Sequence, residues 1–95
     1  MSRLRNKDAD PLLRLMAKYF FDFRARTAFS CDDEGLELSD IDAAHGEAVA
    51  ALSDGIQDIL VQGASDQHFA VEVRDDLGPV LEVAAVLRSR IIRKQ

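Results

Sequence analysis

Only one stretch of this chain repeats its apolar residues at helical spacing: Ile41, Ala44, Ala48, Leu52, Ile56 and Ile59, with Val49 and Leu60 beside them. Such spacing puts apolar side chains on one stripe of an α-helix, and this one runs for about six turns. Ser39 with Asp42 three residues on resembles a capping box, with Asp in place of the usual Glu. Asp40 and Asp42 suit the positive end of the helix dipole, and Gly63 is a natural stop. Gly46 and Gly55 each cost the helix roughly 1 kcal/mol relative to alanine. They either admit a close neighbour or are simply tolerated.

The rest of the chain alternates with period two. In Lys18–Arg24 the residues Tyr19, Phe21 and Phe23 fall on one face, and Phe20, Asp22 and Arg24 on the other. A tight connection leads to a second strand over Thr27–Asp32, where Cys31 reads as a small buried hydrophobe. Asp33-Glu34-Gly35 is a turn with Gly35 free to take a positive φ, and Leu36–Leu38 is a brief extended piece. Beyond the helix, Phe69, Val71 and Val73 alternate with Ala70, Glu72 and Arg74. A turn over Asp75–Pro79 follows. Leu81, Val83, Ala85 and Leu87 then alternate with Glu82, Ala84, Val86 and Arg88.

Strands on either side of one helix predict an α+β domain of order ββαββ: a small antiparallel sheet with one long amphipathic helix packed on one face. The uncovered face would carry Phe20, Asp22, Arg24, Ala70, Glu72, Arg74, Glu82, Ala84 and Val86. A length of 95 residues suits a single domain. Residues 16–95 are assigned to it. Residues 1–15, with a net charge of +2 and interrupted by Pro11, are read as a flexible extension.

Charge narrows the partners. Between Arg26 and Arg74 there are eleven acidic residues and no lysine or arginine. The whole chain carries −5. That layout argues against a nucleic-acid partner, since phosphates need basic side chains. With one cysteine there is no intrachain disulfide. No apolar run is long enough for a membrane span, and the basic N-terminus lacks the apolar stretch of a signal peptide. A soluble cytoplasmic protein is expected.

The segment Lys18-Tyr-Phe-Phe-Asp-Phe-Arg24, followed by Asp32-Asp-Glu-Gly-Leu-Glu-Leu-Ser-Asp-Ile-Asp-Ala-Ala44, resembles an uncharacterised family of short rhizobial and other α-proteobacterial proteins. That family is a domain of unknown function. Its members share the Tyr-Phe-Phe start, an acidic Gly-containing lead-in to a helix, and a closing valine-alternating hairpin, here Phe69–Val73, Asp75–Pro79 and Val80–Val83. The resemblance covers about residues 17–85 and implies that Met16 is the customary start. Ser39 stands where the family has proline, the first hairpin lacks an Asp-Gly turn, and the helix lacks the arginines of relatives. The resemblance supports fold and compartment and supplies no chemistry.

No catalytic constellation emerges. Ser30, Asp32, Glu34 and Gly35 superficially resemble a calcium loop, but Ile41 occupies the position of the bidentate glutamate. Cys31 and His45 have no spacing that pairs them as nucleophile and base, and His45 with His68 makes no zinc motif. Asp32, Asp33, Glu34 and Glu37 cluster, yet in an exposed segment that would not shift a pKa. No metal, cofactor or catalytic residue is assigned, and the chain reads as a non-enzyme. The expected function is a protein-interaction module that self-associates as a homodimer. Its candidate surface is Phe20 and Val86 on the uncovered sheet face, Asp54 and Asp58 on the helix, and Arg88 and Arg90 in the basic end. The alternatives are an antitoxin-like or regulatory protein that binds a basic protein through the acidic helix, and a minor enzyme using the Asp32–Glu37 carboxylates.

Overall fold

The computed structural model describes residues 16–26, 28–63 and 68–93. The N-terminal extension, Thr27 and Lys94 lie outside them. Along the chain run β1 (Ala17–Ala25), β2 (Phe29–Ser30), β3 (Leu36–Leu38), α1 (Ile41–Val61), β4 (His68–Asp75) and β5 (Gly78–Val86). This is the α+β architecture that the alternating periods predict: one helix on an antiparallel sheet of five strands.

The sheet is ordered β2-β1-β4-β5, and β3 also pairs with β1. β2 and β3 share one edge of β1. β2 pairs with Phe23 and Arg24, and β3 with Ala17–Tyr19. β4 runs along the opposite edge of β1 from Phe20↔Arg74 to Ala25↔Phe69. β5 then pairs with β4 from Asp75↔Gly78 to His68↔Val86, with a register shift at Arg74↔Pro79 that leaves Val80 as the extra residue.

The core lies between the helix and one sheet face. Ala44, Ala48, Leu52 and Ile59 of α1 are buried against Tyr19, Ala25, Phe69, Val71 and Val73. Phe23 and Phe69, diagonal neighbours on β1 and β4, stack with ring centroids 6.5 Å apart. Val49 and Leu60, which flank the helix stripe in sequence, are largely exposed, and so is Ile41 in the first turn.

Three sequence expectations need correction. The helix is capped by Asp40, whose Oδ1 accepts from the Ala43 N–H at 2.8 Å, and not by Ser39. Both residues are good caps; the chain's exit from β3 decides between them. The second strand shrinks to Phe29–Ser30, because reciprocal bonds between Ala25 and Ala28 close the hairpin and the chain then leaves the ladder. Cys31 accordingly sits in the connection and is exposed instead of buried.

The two helix glycines do different things. Gly55 faces Phe23: a methyl there would fall 2.6 Å from Cδ1 and 2.7 Å from Cζ of its ring. Nothing lies within 4 Å of the corresponding position at Gly46. Gly46→Ala is therefore expected to stabilise the domain by about 0.5–1 kcal/mol through helix propensity. Gly55→Ala is expected to destabilise it by about 1–2 kcal/mol, because the displaced ring is held by Phe69. Urea unfolding of both variants checks this; a shift in the same direction for both would contradict it.

Candidate functional site

Alternation on β1, β4 and β5 places the polar residues on the face away from α1, and the register stacks them in rows. Asp22, Glu72 and Glu82 lie directly opposite one another across three strands. Like charges so placed repel. Two arginines from adjacent rows answer them. Arg74 Nε donates to Asp22 Oδ2 at 2.9 Å. Arg24 reaches across β4 to Glu82 Oε2 at 3.1 Å, where the small Ala70 lies opposite it in the register. The second contact is half exposed and orients more than it stabilises.

The first contact belongs to a tighter assembly. Arg74 also donates through Nη2 to the Asp32 carbonyl at 2.8 Å and lies over the Phe20 ring, 4.6 Å from its centroid. Its Nη2 is 3.7 Å from Cys31 Sγ. Asp22 Oδ1 accepts from the Asp32 N–H at 2.9 Å. Asp32 in turn accepts three backbone N–H groups: Phe21 on Oδ2 at 3.0 Å, and Glu34 and Gly35 on Oδ1 at 3.0 and 3.2 Å. Phe21 lies where the edge of β1 passes from β3 to β2, and the Asp32 carboxylate supplies the acceptor that a strand would have given. Gly35, at φ +74°, lets this loop close over the ring of Phe20, which a Cβ would approach to 2.9 Å.

These contacts set the charge states. The Arg74 hydrogen bond, ahead of the Asp32 amide, holds the Asp22 carboxyl below its ordinary value and outweighs the opposing effect of burial. For Asp32 burial is the largest single influence and acts upward, but the three amides together overcome it and the net direction is down. A carboxylate so bonded stands in for the backbone acceptors that a neighbouring strand would have supplied. Its neighbours in the acidic cluster, Asp33, Glu34 and Glu37, are exposed.

The proposed surface residues do not form one patch. Phe20 is half-buried beneath Arg74 at one end of the open face. Val86, opposite His68, is 64% exposed at the other end, six residues away along β4; that is roughly 20 Å at strand spacing. Asp54 and Asp58 are exposed on α1, in the other layer. Arg88 and Arg90 are exposed just past the end of β5. Cys31 and His45 are not brought together either: one sits beside Arg74 at the open face, the other is exposed on α1. Sequence reasoning placed Asp22 and Arg74 on one face but could not find their pairing, which rests on strand register.

At the Val86 end the open face is hollow. Ala70 and Ala84 are too small to fill it, and Arg24, His68, Glu82 and Val86 stand around a depression of about 440 Å³. Leu87, Ile91 and Ile92 follow β5 as exposed apolar residues without regular secondary structure. Among the described residues no helix is long and apolar enough to cross a membrane.

A family model described as a domain of unknown function (DUF6894) matches residues 18–86. No curated protein and no solved structure matches the chain.

Proposed function

The chain belongs to the DUF6894 family through residues 18–86, and from that footing we propose that it is a non-enzymatic cytoplasmic interaction module whose partner is a second copy of itself. The supporting observation is the uncovered end of the sheet. Val86 is exposed at the alanine-floored depression, and Leu87, Ile91 and Ile92 follow it in the chain as further exposed apolar residues; exposed apolar surface of this kind marks association sites. Two pairs of charged side chains on the open face engage one another: Arg74 with Asp22, and Arg24 with Glu82. That arrangement holds a surface in shape and leaves the apolar end to make contacts.

Sedimentation equilibrium of the full chain tests the reading. The expected result is a concentration-dependent species of twice the 10.5 kDa chain mass. A single 10.5 kDa species at every concentration up to about 200 μM, where even a weak specific dimer would form, sinks it.

A further inference from the structure

We infer that the second copy adds to the outer edge of β5 in one register, antiparallel about a two-fold axis through Ala85; this rests on the self-association reading above and specifies its surface. Among the described residues no strand pairs with that edge of β5, which runs for nine residues and presents there the backbone groups of alternate residues. An edge of this length is a template for another strand.

Charge selects the register. In an antiparallel pair directly opposite residues share a face. Placing Ala85 against its own copy sets Glu82 opposite Arg88 twice, once on each side of the axis. It sets Ala84 opposite Val86 on the open face and Val83 opposite Leu87 on the helix face. A shift of the axis to Ala84 puts Glu82 against Val86, and a shift to Val83 puts it against Ala84; in neither does the carboxylate meet a base. A shift to Val86 sets it against Arg90, but that needs the strand to run four residues past its end at Val86, where the Ala85 register needs two. Arg24 engages only Oε2 of Glu82, and a carboxylate accepts from more than one donor. The chosen register covers Val86 and Leu87, which are 64% and 37% exposed in the single chain. It also extends β5 through residues 87–89, which have no strand partner in the single chain. Both helices then lie on the same side of one continuous sheet.

The experiment measures dimer dissociation by sedimentation for the wild type and, in an Arg24→Ala background that removes the cation contacting residue 82, for Glu82→Arg, Arg88→Glu and the double reversal. Each single reversal places two like-charged pairs in the interface. Each is expected to weaken the dimer about tenfold, while the double reversal returns it to within about threefold of wild type. In a Cys31→Ser background, Ala85→Cys is expected to give an oxidatively cross-linked dimer and Val83→Cys is not, since only residue 85 meets its own copy. If the dimer forms but the double reversal stays as weak as the singles, or residue 83 cross-links in place of 85, the register is overturned while self-association stands. A wild-type chain that stays monomeric overturns both.

Discussion

Asp32→Ala is expected to destabilise the domain by about 3 kcal/mol. The carboxylate satisfies the N–H groups of Phe21, Glu34 and Gly35, and each of these bonds, open in part to solvent, contributes about 1 kcal/mol net. Asp32→Asn retains one acceptor oxygen and is expected to lose about half as much. Urea unfolding midpoints report both, and a loss below about 1 kcal/mol for Asp32→Ala would show that water replaces the carboxylate without cost. The same geometry sets an acid limit. Asp22 and Asp32 both have folded-state pKa values lowered from 3.8. Their contribution is therefore fully present above the unfolded carboxylate value and is lost as pH falls through the lower folded values. Stability should hold from pH 7 to about 5 and decline below about pH 4. The decline should be shallower in Asp32→Asn.

Phe69→Ala is expected to cost about 4 kcal/mol. Phe69 is 2% exposed, stacks on Phe23 and pairs with Ala85 on β5, so little around it can collapse into the space left. Against a total stability of about 5–15 kcal/mol, the variant would be marginal. A thermal melt should shift down by about 20 °C. A shift under about 5 °C would mean that Phe23 and the helix repack to fill the site.

Periodicity made the layers legible. The run from Ile41 to Ile59 named the helix, and the alternations from Phe69 and from Leu81 named the hairpin and sorted its faces correctly. Those signals are local: each depends on which face of its own element a residue occupies. What stayed hidden depends on two distant segments meeting. Asp22 and Arg74 are 52 residues apart, and only the β1–β4 register brings them into contact. Asp32 looked like one of a loose acidic group because nothing near it in sequence reveals the gap in the ladder at Phe21. Gly55 and Gly46 look alike in the chain, and only the crossing of α1 over β1 separates them.

The two margins of the sheet differ in what they can propagate. On one side β1 is hemmed by strands of two and three residues, with a carboxylate plugging the interval between them. A further strand finds almost no continuous backbone there to recruit. On the other side β5 runs for nine residues. Among the described residues that leaves one recruitable margin, so two copies joined through β5 as proposed would consume it and present only the blocked sides outward. Growth by that route would stop at two, unlike the fibre that a sheet with two equal margins seeds.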